Sequence, residues 1–275
     1  MLCNTHVRGY SLKLKKWGEF EVEGIRDISW NDAAYPNLML PSGYKNLVES
    51  FVGGHTRDKR AFDDIIEGKG LGVVMLLAGN PGTGKTLTAE AVADKARRPL
   101  YTLSAGELGR DAESVERRLN AILEMAEKWD AILLFDECDV FLQERQTSHL
   151  EHNEIVAVFL RVLEYYRGIL LMTSNRADTI DRAFHSRIHL TLHYPDLDLE
   201  AKEHIWRHLA SHARPGDGVT DDLFRRLARL PLNGRQIKNV VRIATLLAVQ
   251  EDSALGREHF RVVLEATMGL DAQGL

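Results

Sequence analysis

The sequence predicts an α/β protein, a three-layer αβα sandwich around a five-stranded parallel sheet, with a second, all-helical domain behind it. Three observations carry this. Short apolar runs alternate with helical patterns between residues 73 and 194, the signature of a parallel sheet with helices on both faces. Beyond Pro195-Asp196 the strand-like runs stop and only helical patterns remain. A glycine-rich octapeptide, GNPGTGKT at 79–86, separates the first buried run from the helical pattern that follows it.

The elements follow in order. Residues 1–35 mix polar and aromatic side chains, and the alternation through Phe20, Val22 and Ile25 predicts short strands. From Pro41 to Glu67 the pattern is helical, broken by Gly53-Gly54. VVMLLA (73–78) is continuously apolar, as expected of a strand buried on both faces, and a helix is expected from about Thr86 to Arg97. PLYTLS (99–104) is the second strand. AESVERRLNAILEMAEKW (112–129) puts Val115, Leu119, Ile122, Leu123 and Ala126 on one helical face. AILLF (131–135), GILLMTS (168–174) and IHLTLHY (188–194) complete the strands, with a helix over 153–166. Then come four helices: DLEAKEHIWRHLASH, DDLFRRLARL, NGRQIKNVVRIATLLAVQ and REHFRVVLEATM. The turns RPGDG and LPLNG punctuate them. The chain thus divides into a flanking segment (1–35), a large sheet domain (36–195) and a small helical domain (196–275).

Bulk properties narrow the function. The 275 residues suffice for one large domain or a large and a small one. Hydrophobic residues at 44% and charged residues at 27% describe an ordinary globular chain. The net charge of −5 weighs against broad electrostatic binding to nucleic acid. Two cysteines, Cys3 and Cys138, make neither a disulfide framework nor a metal cluster and suit a reducing compartment. No apolar run approaches the ~20 residues of a membrane span. MLCNTHVRGY lacks the apolar core of a signal peptide. An intracellular, soluble protein is expected.

The octapeptide fits G-x-x-x-x-G-K-[ST] through Gly79, Gly84, Lys85 and Thr86. A loop of this kind turns backbone N–H groups around phosphate oxygens, and its glycines permit the close approach. Lys85 is expected to reach the β- and γ-phosphates and Thr86 to ligate Mg²⁺. The helix N-terminus adds its free N–H groups and dipole. At the end of the third strand, ILLFDECD presents Asp136 and Glu137. Strand ends of a parallel sheet border the ligand crevice. Asp136 there is placed to hold Mg²⁺, directly or through water, and Glu137 to activate a water against the γ-phosphate. A solvated acidic turn is the bland alternative, which the phosphate loop outweighs. NRAD (175–178) half-resembles the N-K-x-D signature of guanine recognition. Arg176 in place of lysine, Asp-Glu at the third strand end and the trailing helical domain favour ATP over GTP.

Taken together, GNPGTGKT, ILLFDE, MTSNR and the trailing helices resemble an AAA+ ATPase, a P-loop NTPase with a helical lid. The resemblance is closest to the ATPase domain near the C-terminus of large fungal AAA+ proteins, and it covers roughly residues 25–270. It implies that Gly79, Asn80, Pro81, Gly82, Thr83, Gly84, Lys85 and Thr86 form Walker A, with Leu87 beside the nucleotide. Asp136 and Glu137 become the Walker B metal and base positions, and Asn175 becomes sensor 1. Arg187 is implied as a finger that faces a neighbouring subunit's γ-phosphate, with Arg182 second and Asp178 in the same segment. Gly234 matches a position near the adenine, Arg235 a sensor 2 arginine and Ile205 a base contact or, equally, ordinary lid core. Arg235 departs from the protein-unfolding subgroup, where alanine is common.

A larger departure lies in SAGELGRDAES, where threading motors carry an aromatic–hydrophobic pair. The loop is short, and Leu108 is its only large apolar residue. Peptide threading is thereby in doubt. The resemblance implies Mg²⁺-dependent ATP hydrolysis in a homo-oligomer, a hexameric ring, that couples nucleotide state to ring conformation and remodels a macromolecular partner, a protein. An ATP-gated assembly scaffold with little hydrolysis is the alternative, and a nucleic-acid remodeller ranks last. His204 and His208 have i,i+4 spacing that suits zinc, yet no third ligand is evident. KLKKW reads as a solvated basic run. The four tryptophans are spread along the chain and form no stacking platform.

Overall fold

The expected apolar runs become strands because each is bounded by turn residues and can bury both faces. A computed structural model describes residues 5–57, 71–109, 111–143, 150–176, 179–216 and 218–269. An antiparallel hairpin comes first, β1 (His6–Ser11) with β2 (Lys16–Glu21), then α1 (Tyr44–Arg57). β3 (Val73–Gly79), α2 (Lys85–Ala96), β4 (Leu100–Ser104), α3 (Ala105–Leu108) and α4 (Ala112–Lys128) follow. Next are β5 (Ile132–Asp136), α5 (Asp139–Leu142), α6 (Leu150–Tyr165), β6 (Ile169–Ser174), α7 (Arg182–His185) and β7 (Leu190–Tyr194). The chain closes with α8 (Leu199–Ser211), α9 (Asp221–Ala228), α10 (Gly234–Gln250) and α11 (Arg257–Met268).

The main sheet has five strands in the order β4-β5-β6-β3-β7. β3 pairs with β6, β4 with β5 and β5 with β6, all in parallel. Ile132 lies opposite Ile169, Phe135 opposite Met172 and Ala78 opposite Ser174, so three neighbouring strands finish level at their C-terminal edge. Chain contacts separate two compact units, Met1–Ala78 with Thr86–Leu192, and Gly79–Lys85 with His193–Leu275.

In the first unit Phe135, Phe141, Phe159 and Phe184 are buried together, with ring centroids 5.2–6.0 Å apart in successive pairs. The hairpin anchors through Tyr10, whose ring lies 5.6 Å from Trp17 and 5.1 Å from Trp129. Trp17 and Trp129 lie edge-on 6.3 Å apart beside that tyrosine, because the chain fold brings these distant residues together. Lys15 of the basic run pairs with Glu107. The helical prediction over 41–67 holds for α1, but Gly53-Gly54 do not break it. Buried Val48 and Val52 hold that helix by its apolar side, outweighing the glycines' cost of about 1 kcal/mol each. Residues 58–67 of that prediction lie outside the described residues.

In the second unit all four expected helices are present. Trp206 is fully buried edge-on against Phe260, with Leu227, Ile237, Val240 and Leu264 around the same core. Asn233 caps α10 by a reciprocal capping box: its side chain accepts from Gln236 N–H at 2.9 Å while Gln236 Oε1 accepts from Asn233 N–H at 2.9 Å. No helix among the described residues is long and apolar enough to cross a membrane.

Candidate active site

Because β5 and β6 end level, Asp136 and Thr173 come next to each other just past their last ladder pair. The Thr173 hydroxyl donates to Asp136 Oδ1 at 2.6 Å and accepts from Glu137 N–H at 2.8 Å. Thr86, in the first turn of α2, donates its hydroxyl to the same Asp136 Oδ1 at 3.0 Å. Glu137 is left-handed, with φ of 52°. This is an uncommon conformation for a residue with a side chain. Next in line, Cys138 donates its N–H and its thiol to the Thr173 carbonyl, each at 3.0 Å. Complete burial, with the charge of Asp139 beside it, pushes the Cys138 thiol pKa well up, so it is an inert core thiol.

Asp139 ties down the neighbouring strand end. Its Oδ1 accepts from Ser174 Oγ at 2.6 Å and from Asn175 N–H at 3.1 Å. Asn175 is half-buried there. Three of the residues expected at one centre, Thr86, Asp136 and Glu137, are thus joined through hydroxyls and main-chain groups. Asn175 stands at the next strand end.

Arg187 is placed differently from a free surface side chain. Its guanidinium pairs with Glu164 and donates to the carbonyls of Ala183 at 2.9 Å and Leu160 at 3.2 Å. Arg182, one turn earlier, is exposed. Asp178 lies outside the described residues.

The phosphate loop is described within the second unit, apart from Thr86. Lys85 is buried, and its ammonium donates to the carbonyls of Gly79 at 2.7 Å and Asn80 at 2.8 Å. Thr83 Oγ1 donates to the Asn80 carbonyl at 2.8 Å, and Asn80 Nδ2 to Asp196 at 2.8 Å. Gly82 has φ of 79°, and a Cβ on it would meet the Asn233 side chain at 2.7 Å. Backbone and space both demand glycine there. Gly234 N–H donates to Gly82 O at 3.0 Å. Pro81 and Leu87 are exposed, and Gly84 is half-buried with φ of 100°. Arg235 is exposed in the first turn of α10, whereas Ile205 packs against the helical core.

The donor set suits the groups it is expected to hold. A threonine hydroxyl and a carboxylate oxygen 3.0 Å apart are hard oxygen ligands of the kind Mg²⁺ accepts. A buried lysine at the helix start beside a left-handed glycine loop suits phosphate. Zinc is a different matter. The rings of His204 and His208 stack 6.2 Å apart, but no group of three metal-ligating side chains is assembled among the described residues.

Sequence reasoning passed over two residues of this cluster. It gave Asp139 no role and did not single out Thr173. The available signal was that an otherwise apolar strand, ILLMTS, ends in two hydroxyl residues at the edge where the carboxylates emerge. In the short loop, Leu108, the last residue of α3, is fully buried in the core. A core side chain of that size predicts that Leu108→Ala lowers stability by about 2–5 kcal/mol in urea unfolding. A residue displayed for substrate contact would leave stability unchanged.

Known proteins resemble this chain over much of its length. Residues 75–196 match the family model for the ATPase family associated with various cellular activities (AAA). Over 210 residues, 70% of this chain, it is 30% identical to the mitochondrial inner membrane m-AAA protease component AFG3L1 of Mus musculus, covering 27% of that protein. It is 28% identical over 203 residues to a putative 26S proteasome regulatory subunit homolog of Methanothermobacter thermautotrophicus, covering 70% of this chain and 54% of that one. It is 32% identical over 200 residues to the ATP-dependent zinc metalloprotease FtsH 2 of Petrotoga mobilis, covering 65% and 30%. The fold and the match define a P-loop nucleotide hydrolase. The chain belongs to the AAA+ ATPase family. It spans about half or less of the length of these curated relatives.

Proposed function

We propose that this chain hydrolyses ATP with Mg²⁺ by activating water against the γ-phosphate, and that it does so as part of a ring. The observation that carries this is the assembly of Thr86, Asp136 and Glu137 at level strand ends. Glu137 accepts the proton of the attacking water, and Asn175 orients that water from the adjoining strand end. Thr86 and Asp136 hold Mg²⁺, which supplies charge neutralisation at the phosphates. Gly79 to Thr86, with Leu87, cradle the phosphates, and Lys85 neutralises their charge. Gly234 and Ile205 border the base, and Arg235 reaches the phosphates from the lid. Arg187 serves the neighbouring subunit.

Steady-state phosphate release measured against protein concentration, with particle mass recorded in parallel, tests the reading. Turnover per chain is expected to rise as assemblies form. The burial of Leu108 favours a second reading in part: a ring that changes shape with nucleotide without gripping an extended peptide through this loop. Assembled rings that bind ATP and release almost no phosphate would turn that reading into a pure scaffold and remove the hydrolytic one.

A further inference from the structure

We infer that Thr173 is a positioning residue for ATP hydrolysis: its side chain sets the backbone of the base Glu137 and the carboxylate of Asp136 at once. This rests on the proposed roles of those two acids. A threonine hydroxyl has one proton to give and lone pairs to receive. Here the proton goes to Asp136 Oδ1 at 2.6 Å and a lone pair takes Glu137 N–H at 2.8 Å. The Thr173 carbonyl takes the next amide, Cys138 N–H, at 3.0 Å. One residue of β6 thus binds the last residue of β5 and the two that follow it.

The conformation at Glu137 explains why this matters. The β5–β6 ladder stops at Phe135 and Met172 and the β4–β5 ladder at Asp136 and Ser104, so no ladder pair extends to Glu137. Glu137 then adopts φ of 52°, a region that ordinary side chains avoid. Such a residue keeps that geometry only where its surroundings impose it. Thr173 supplies that constraint on both sides: the amide of Glu137 binds its hydroxyl and the amide of Cys138 its carbonyl. The carbonyl contact survives any substitution at 173, whereas the hydroxyl contact does not. Thr173 is only 1% exposed, so no bulk solvent replaces the lost hydroxyl.

The hydroxyl also distinguishes its two targets from each other. Asp136 Oδ1 receives a second hydroxyl, from Thr86, and keeps that partner if Thr173 is changed. Among these contacts the Glu137 amide has Thr173 alone. Loss of the hydroxyl therefore falls hardest on Glu137, on turnover rather than on nucleotide capture.

Four proteins test this: wild type, Thr173→Val, Thr173→Ser and the double variant with Glu137→Gln. Valine keeps the shape and removes the hydroxyl; serine restores it. Thr173→Val is expected to lower kcat about 10–100-fold, the usual effect of removing a partner that orients an active-site ligand. Binding of a fluorescent ATP analogue with Mg²⁺ should change less than about 3-fold, and Thr173→Ser should recover most of the turnover. In the Glu137→Gln background the valine change should add less than about 3-fold, because residues that act as a unit are not additive.

A Thr173→Val protein that melts like wild type and turns over like wild type overturns the proposal. So does an equal loss from valine whether or not Glu137 is present. A parallel loss of Mg²⁺-ATP affinity would assign the effect to Asp136 and overturn the role at Glu137. If the valine variant does not fold, Thr173→Ala and Thr173→Ser compared by the same measurements decide it. A wild-type protein with no turnover at any assembly state, or a fully active Glu137→Gln, would instead defeat the hydrolytic reading on which the inference stands.

Discussion

Glu137→Gln is expected to bind ATP as tightly as wild type and to release phosphate about 10²–10⁴-fold more slowly, the range lost when a general base is removed. The amide side chain has the shape of the acid but cannot take the water's proton. What holds residue 137 in place is its main chain: the N–H bound to Thr173 and the left-handed backbone, neither of which involves the carboxylate. The substitution should therefore leave the fold intact, and its melting temperature should stay close to that of wild type. Thr86 and Asp136 are untouched, so Mg²⁺-dependent nucleotide binding should persist. Phosphate release and the binding of a fluorescent analogue measure the two properties separately. Turnover near the wild-type rate would remove Glu137 from the mechanism.

The parts of this site that could be read from the sequence are those in which residue type alone restricts the chemistry. GNPGTGKT is restricted because its turn needs glycine: Gly82 has φ of 79°, and a Cβ there would meet the Asn233 side chain at 2.7 Å. VVMLLA and AILLF are restricted because a strand covered on both faces must be apolar throughout, and Val73–Ala78 and Ile132–Phe135 are all buried. Where the deciding interaction joins distant residues, pattern says little. Thr173 resembles any hydroxyl in a strand until the register of β5 and β6 brings it level with Asp136. Tyr10 and Trp17 pair across the hairpin, but Trp129 is far along the chain and meets them only when the hairpin docks. Gly53-Gly54 looked like a break because propensity counts the backbone alone and omits the burial of Val48 and Val52. That Leu108 is the only large apolar residue of its short loop does not say where its side chain goes. In the fold Glu107, beside it, binds Lys15 and Ser104, and Leu108 itself is buried in the core.

Arg187→Ala is expected to lower turnover about 10³–10⁵-fold, the scale of an arginine that stabilises a phosphoryl transition state from a neighbouring subunit. The structure offers a competing cause for any loss. Arg187 ties the end of α6 to α7 through Glu164, the Leu160 carbonyl and the Ala183 carbonyl. Losing a charged hydrogen-bonding side chain of this kind costs about 1–3 kcal/mol of stability on its own account. Two contrasts separate a strut from a finger. Glu164→Gln weakens the same tie from the other end; a strut predicts that it mimics Arg187→Ala, a finger that it remains active. Mixing supplies the second contrast. Fingers that act across a head-to-tail ring interface belong to a different chain from the base they serve. An Arg187→Ala chain keeps Glu137, and a Glu137→Gln chain keeps Arg187. In equimolar mixed rings about a quarter of the interfaces pair an intact base with an intact finger, so turnover should recover to as much as about a quarter of wild type. Neither variant alone should show it. Mixtures as inactive as their components, with rings still formed, would confine Arg187 to its own chain and leave exposed Arg182 as the residue of α7 to test next.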